Sequence, residues 1–151
     1  MTHDSTFVTA SRRPPLWYWA AAGLGLAWNI FGAVQFAGSL SATTESLMAQ
    51  GLTAEQAAVM LGYPSWMTLA FALGVFGGIL GCVMLIWRKA IAVPVFAVSL
   101  AAYVALYIGD IVHGVFAALG TPQVAVLSVV VLIAAGLFWL ARHARAQSIL
   151  S

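Results

Sequence analysis

Four long apolar stretches decide what this sequence can fold into. A helix that crosses about 30 Å of hydrocarbon at about 1.5 Å per residue needs roughly 20 apolar residues. Four stretches qualify, at about residues 16–38, 65–87, 91–118 and 122–140. Transmembrane β-strands would show short segments in which apolar and polar residues alternate, and these stretches do not alternate. The pattern predicts an all-α polytopic membrane protein, an up-down bundle of four transmembrane helices.

The scarcity of charge supports a lipid environment. Charged residues make up 7% of the chain and hydrophobic residues 63%, whereas an average soluble domain carries about 25% charge. So few charged residues could not cover a surface that faces water. We therefore expect the apolar surface to face the lipid bilayer. We assign residues 14–142 to one membrane domain and residues 1–13 and 143–151 to short tails.

The basic residues predict the orientation. All six lie in three pairs beside the spans, namely Arg12 and Arg13, Arg88 and Lys89, and Arg142 and Arg145. In an up-down bundle these pairs share one side, whereas the connection on the other side, residues 39–64, has Glu45 and Glu55 and no Lys or Arg. The positive-inside rule therefore predicts that both tails are cytoplasmic (N-in/C-in) and that 39–64 is an outer loop. Basic pairs of this kind anchor membrane helices, so we expect no nucleic-acid partner.

The outer loop contains one helix signal. Thr53 and Gln56 have the spacing of a capping box, in which each side chain binds the other's backbone amide. We therefore predict a short helix over about residues 54–61 that ends at Gly62. This helix would be either a lid over a site or a plain connector.

Asp110 is the only charged residue well inside a predicted span. A carboxylate there costs about 2.5–3.5 kcal/mol on insertion scales, so it usually has a role. Four side chains of this span are three or four residues apart and would therefore lie along one face of a helix: Ser99, Tyr103, Tyr107 and Asp110. His113 follows Asp110 by three residues and could share a hydrogen bond or a proton with it.

The first span adds two polar side chains, Asn29 and Gln35. Counting inward from the outer ends of the helices puts Asn29 at a depth similar to that of Asp110, and puts Gln35 nearer the outside. Five residues are therefore candidates for binding a solute or a proton: Asp110, His113, Asn29, Tyr107 and Gln35. They predict either a small polar pocket open to the outside or an interhelical hydrogen-bond network with no further role.

The second span carries four glycines at close spacing, Gly74, Gly77, Gly78 and Gly81, which form two overlapping GxxxG pairs. Lipid gives no hydrophobic drive for helix association, so small residues that let backbones approach favour packing. These glycines are therefore candidate helix-packing residues. Their partner is either a helix of the same chain, such as the first span with Gly25 and Gly32, or a second copy.

The sequence contains no motif for catalysis. It has no nucleophile elbow, P-loop or dinucleotide fingerprint. Cys82 is the only cysteine, which excludes an intramolecular disulfide and a CxxC site. Asp110 and His113 alone lack the further ligands of a metal centre, and one embedded histidine gives no bis-histidine haem site. We therefore expect a protein that is not an enzyme and has no metal or cofactor.

Several segments resemble a family of small bacterial four-helix proteins that are often labelled sugar transporters. The matching segments are residues 28–32 (WNIFG), 63–66 (YPSW), 76–81 (FGGILG), 93–100 (VPVFAVSL) and 137–146 (LFWLARHARA). The resemblance implies a bacterial inner-membrane protein. The label names no mechanism, and no binding residue carries over from it.

Two functions fit these observations. In the first, the protein binds or passes a small polar solute or a proton through a pocket in the outer half of the bundle. Four spans are few for a transport path, so this function implies a homodimer. In the second, the protein is a non-catalytic accessory or assembly subunit of a larger membrane complex.

Overall fold

A computed structural model describes residues 12–151, so most of the predicted N-terminal tail lies outside the described residues. The described residues form seven α-helices and no strand. The helices are α1 (Leu16–Leu40), α2 (Thr44–Ala49), α3 (Ala54–Leu61), α4 (Ser65–Ile86), α5 (Ala92–Val112), α6 (Val115–Leu119) and α7 (Thr121–Ala146).

Four of the helices, α1, α4, α5 and α7, are long and apolar enough to cross a membrane. Their outward faces carry exposed large apolar side chains, such as Leu24, Leu69 and Leu132. A surface of this kind suits lipid and not water. The prediction of an all-helical chain with four helices able to span a membrane is confirmed, and such helices are compatible with an integral membrane protein.

The four long helices pack side by side, but the extent of contact differs from one pair of helices to the next. Helix α4 packs against both α1 and α5, and α5 packs against α7, whereas α1 and α7 touch sparsely. The Tyr18 hydroxyl, at the start of α1, donates to the carbonyl of Leu85 at the end of α4 over 2.6 Å. The Trp17 ring lies 6.4 Å from that of His143 near the end of α7. The starts of α1 and α5 and the ends of α4 and α7 therefore share one end, which we call the basic end because the Lys and Arg residues flank these helix termini. We call the opposite end the loop end.

Helix α5 ends earlier than the sequence predicted. The third span was expected to reach Ala118, but α5 ends at Val112. Gly114 adopts a left-handed conformation with φ +69°, which stops the helix and starts the short α6. Gly120, with φ +74°, then ends α6, and α7 begins with Pro122 in its first turn. Asp110 therefore lies in the last turn of α5 and not deep inside a longer span.

The loop between α1 and α4 contains two short helices where one was predicted. The predicted helix, α3, has the expected capping box: Gln56 N donates to Thr53 Oγ1 over 3.2 Å and Thr53 N donates to Gln56 Oε1 over 3.0 Å. Helix α2 has a similar box between Thr43 and Ser46, which the sequence pattern missed because Ser replaces the usual Glu or Gln. Gln56 Nε2 also donates to the carbonyl of Ala118 in α6 over 3.1 Å. Helices α2, α3 and α6 thus form a cap at the loop end.

The last residues of the chain fold back onto the basic end. Ser148, with φ +57°, turns the chain after α7, and Ile149 N donates to the carbonyl of Ala144 over 2.9 Å. Ile149 is 2% exposed and belongs to the apolar cluster that contains Leu85 and Phe96. These residues close the basic end with apolar side chains.

The glycines of α4 lie where neighbouring helices come closest. A Cβ placed on Gly74 would lie 2.6 Å from the Tyr103 ring, and one on Gly81 would lie 2.6 Å from the Phe96 ring. A Cβ on Gly77 would lie 3.1 Å from Ser99 Cβ, and one on Gly78 would overlap Asn29 Oδ1. All four positions therefore face α5 or α1 of the same chain. Gly25 and Gly32 face Leu137 and Val75 instead of these glycines.

Candidate functional site

Asp110 is fully buried and has two hydrogen-bond partners from different parts of the chain. Its Oδ1 accepts from the hydroxyl of Tyr63 over 2.9 Å, and its Oδ2 accepts from Nε2 of Gln123 over 3.0 Å. Tyr63 lies in the connection between α3 and α4, and Gln123 lies in the first turn of α7. The site therefore joins the last turn of α5 to the first residues of the two helices beside it.

Local sequence places these side chains. Gly62 ends α3 and Pro64 precedes α4, so Tyr63 is held in a short extended connection beside Asp110. Gly109 lets the start of α4 come close to α5, because a Cβ there would lie 2.6 Å from the Trp66 ring and 3.0 Å from Met67 Cε. Helix α7 begins with Thr121 directly after Gly120, so Pro122 and Gln123 lie in its first turn. The three helix ends meet around the carboxyl group.

The partners of Asp110 are neutral. The Lys and Arg residues among residues 12–151 lie at the basic end, far from Asp110. Within this range the carboxyl group is bound by a phenol and a carboxamide and not by a cation. Burial, together with the negative charge of Asp110 beside it, raises the pKa of Tyr63. The Tyr63 hydroxyl therefore keeps its proton at physiological pH and remains able to donate.

Tyr63 and Gln123 can each reverse their hydrogen bonds. A phenol donates and accepts, and a carboxamide offers either NH₂ or its carbonyl oxygen after a rotation of the amide. An ionised Asp110 accepts from both, as observed. A protonated Asp110 could donate to the oxygen of either one. The site can satisfy both protonation states, and this is its main chemical property.

His113 is not a partner of Asp110. It follows the last residue of α5, is exposed, and its ring lies 6.0 Å from that of Trp66. The predicted hydrogen bond between them is not formed. His113 N still donates to the carbonyl of Gly109 over 2.9 Å, so His113 keeps its place in the last helical turn, but its ring is exposed beside Trp66 and does not reach the buried carboxyl group.

Asn29 lies at a different level from Asp110. Its Nδ2 donates to the carbonyl of Gly25 over 2.8 Å and its Oδ1 abuts Gly78. Asp110 lies at the level of Met67, and Gly78 is eleven residues further along α4, which is about 16 Å at about 1.5 Å per residue. The predicted similar depth is therefore wrong, since α5 is shorter than expected and Asp110 lies close to its end.

Tyr107 and Gln35 are also separate from Asp110. The hydroxyls of Tyr107 and Ser128 lie 3.3 Å apart and link α5 to α7, and the Tyr107 ring packs edge-on against Phe116. Gln35 is exposed on α1. None of the other four predicted residues is hydrogen-bonded to the Asp110 carboxyl group, whose partners are Tyr63 and Gln123.

The two actual partners, Tyr63 and Gln123, were not predicted. A signal for them exists, because each stands beside a proline that opens a long helix at the loop end, in Tyr63-Pro64 and Pro122-Gln123. If Asp110 is placed near that end, the side chains at the two helix starts are the nearest polar groups. That placement depends on knowing that α5 stops at Val112.

Comparisons of the chain with protein-family models, with curated proteins and with solved structures found no match. Among residues 12–151 there is no group of three or more His, Cys, Asp and Glu side chains that could hold a metal ion. The function of this chain is therefore inferred from its own geometry, above all from the surroundings of Asp110.

Proposed function

We propose that this protein binds a proton reversibly at Asp110, from the side of the membrane that carries the cap. The observation that supports this function is a fully buried carboxyl group whose two partners, Tyr63 and Gln123, are neutral and can either donate or accept. Both forms of the carboxyl group can be fully hydrogen-bonded, so proton exchange leaves no buried polar atom without a partner.

A purely structural carboxylate would be held differently. Burying a charge is costly unless it is paired, and a structural carboxylate is usually fixed by a cation or several amides. A cation would stabilise only the ionised form. The phenol and carboxamide at Asp110 do not fix the charge in this way, which favours a group that changes its protonation state.

The Tyr63 hydroxyl also gives a route for the proton, since a hydroxyl group can accept a proton on its lone pair as it gives up its own. Tyr63 and Gln123 are half-buried, whereas Asp110 is fully buried, so these two side chains connect the carboxyl group to the surface beneath the cap. With the N-in/C-in orientation that the basic pairs predict, this surface faces outward. In a bacterial inner membrane, as the resemblance implies, it would face the periplasm.

Binding is a more limited function than transport. The cavity at the centre of the bundle, beside Asn29 and Tyr103, has essentially no free volume for a water-sized molecule. We therefore do not extend the proposal to passage of a solute. The four glycines of α4 pack against α1 and α5 of the same chain. They therefore do not support the homodimer that transport through the bundle would require. The accessory-subunit hypothesis is the alternative, and under it Asp110 would only join helices.

Carbon-13 labelling of aspartate can test this function directly. The chain has two aspartates, Asp4 and Asp110, so an Asp4→Asn variant labelled at the aspartate carboxyl carbon reports on Asp110 alone. In lipid nanodiscs the carboxyl resonance should titrate with pH while the protein stays folded. Tyr63→Phe, which removes one partner, should move the midpoint. Tyr107→Phe, one turn away and bonded to Ser128, should not.

The opposite result would be equally clear. A resonance that stays fixed across the pH range in which the protein is folded would show a structural carboxyl group. Asp110→Asn should then melt like the wild type or higher, because the amide can keep two hydrogen bonds once the Gln123 carboxamide rotates to accept from it, and the variant removes a buried charge.

A further inference from the structure

The basic end gathers the Lys and Arg side chains of residues 12–151 on one side of the bundle. They come from three separate parts of the chain: the start of α1, the connection between α4 and α5, and the end of α7. Five of the six are exposed, namely Arg12, Arg13, Lys89, Arg142 and Arg145. The end of the bundle that is closed inside by apolar side chains is therefore positively charged outside.

Arg88, the sixth basic residue, helps to join these parts of the chain. It turns the chain after α4 with φ +58°. Its Nη2 donates to the carbonyl of Arg12 over 3.1 Å, and its Nε donates to the carbonyl of Ile149 over 3.1 Å. The contact between the rings of Trp17 and His143 joins the start of α1 to the end of α7. The three basic pairs therefore form one surface.

No acidic side chain of residues 12–151 lies on this surface. The Asp and Glu residues in this range are Glu45 in α2, Glu55 in α3 and Asp110 in the last turn of α5, all at the loop end. Like charges held close together repel one another, and this repulsion destabilises the folded state. Anions from the surroundings of the protein would relieve the repulsion. The surface therefore favours a negatively charged partner.

Exposed tryptophans place this surface at the level of the lipid headgroups. Trp17, Trp87 and Trp139, all at the basic end, are 46%, 64% and 62% exposed, and tryptophans of membrane helices concentrate at the boundary between hydrocarbon and water. The Arg142 guanidinium lies 5.7 Å from the centroid of the Phe138 ring, so its charge stays close to the apolar wall of the helix. Lipid headgroups lie at this level, whereas a soluble acidic protein would approach from the water beyond it.

We propose that the basic end binds the headgroups of anionic phospholipids, such as phosphatidylglycerol, in the leaflet that it faces. A phosphate group can accept two parallel hydrogen bonds from one guanidinium, and four of the five exposed basic side chains are arginines. With the N-in/C-in orientation this leaflet is the cytoplasmic one, where basic segments beside membrane helices are attracted to anionic lipids. The proposal goes beyond proton binding at Asp110, which lies at the opposite end, and does not depend on it.

Competition between two lipids tests the proposal. The protein in detergent micelles would be incubated with equal amounts of phosphatidylglycerol and phosphatidylcholine that carry the same acyl chains, and its lipid adducts would be counted by native mass spectrometry. Adducts of phosphatidylglycerol should exceed those of phosphatidylcholine several-fold, because each basic side chain near the headgroups favours the anionic lipid. Equal numbers of the two adducts would overturn the proposal.

Two double variants locate the binding. Arg142→Gln with Arg145→Gln removes two exposed charges of the basic end and should reduce the preference for phosphatidylglycerol several-fold. Glu45→Gln with Glu55→Gln is the matched control, because it removes two exposed charges at the loop end, and it should keep the preference. If the arginine changes leave the preference intact, the basic end is not the binding surface.

Salt gives an independent measurement on the unaltered protein. In vesicles, phospholipids brominated in their acyl chains quench the fluorescence of nearby tryptophans, and Trp87 directly precedes Arg88 and Lys89. Brominated phosphatidylglycerol should quench more than brominated phosphatidylcholine at about 0.05 M NaCl, and this excess should shrink at about 0.5 M NaCl, because salt screens exposed charges. No excess at low salt, or an excess that high salt leaves unchanged, would refute binding through the basic side chains.

Discussion

The close approach of α4 and α5 at Gly74 makes a quantitative prediction. A Cβ at this position would lie 2.6 to 2.8 Å from three ring atoms of Tyr103, which is 5% exposed. Carbon atoms in contact lie about 3.5–4.0 Å apart, so Gly74→Ala requires the two helices to separate by about 1 Å. The same movement would stretch the 2.6 Å bond from Ser99 Oγ to the carbonyl of Gly74 beyond the usual range.

The energetic effects of Gly74→Ala partly oppose one another. Overpacking of this size costs about 1–3 kcal/mol, and loss of the hydrogen bond adds about 0.5–1.5 kcal/mol. The greater helix propensity of alanine returns about 1 kcal/mol. We therefore expect Gly74→Ala to lower the free energy of unfolding by about 2 kcal/mol.

Gly136→Ala in α7 is the matched control, because a Cβ there would have no neighbour within 4 Å. This variant should be neutral or more stable by up to about 1 kcal/mol. The unfolding constants of the two variants should then differ by roughly a hundredfold, measured by reversible unfolding with SDS in mixed micelles and followed by circular dichroism. If Gly74→Ala unfolds like Gly136→Ala, the close approach of α4 to α5 is wrong.

Two further predictions concern orientation and the basic end. In a Cys82→Ala background, cysteine at Thr44 should react with an impermeant thiol reagent added outside intact cells and cysteine at Ala146 should not; equal labelling would rule out the N-in/C-in orientation. Ile149→Ala should lower the free energy of unfolding by about 2–4 kcal/mol, because Ile149 is 2% exposed. Ile91→Ala, at a 57% exposed isoleucine of the same end, should change stability much less, and a similar loss in both variants would show that Ile149 is not packed in the core.

The four long helices were predictable because their signal is local and strong. Each is a run of apolar residues long enough to cross hydrocarbon, and lipid leaves the backbone few alternatives to a helix. Helix α3 was predictable for a similar reason, since a capping box at Thr53 and Gln56 depends on four consecutive residues. Prediction worked where the deciding contacts lie close together in the sequence.

The Asp110 site was not predictable in the same way. The break after Val112 depends on a left-handed Gly114, and a single glycine in an apolar run does not distinguish a break from a tolerated position. By helical spacing alone, His113 was the expected partner, but its ring is exposed beside Trp66. The actual partners are 47 and 13 residues away in sequence, and only the packing of three helix ends brings them together.

The distribution of polar groups along the bundle explains why we infer binding from one side. The loop end holds the Asp110 carboxyl group with its half-buried partners, and the middle holds Asn29 and Tyr103. The basic end is closed by an apolar cluster that includes Leu85 and Phe96. Among residues 12–151, this cluster contains no carboxyl or imidazole group that could take up a proton from the middle of the bundle. Under the proposed function, Asp110 therefore exchanges its proton with the loop side alone and is not one step of a continuous path.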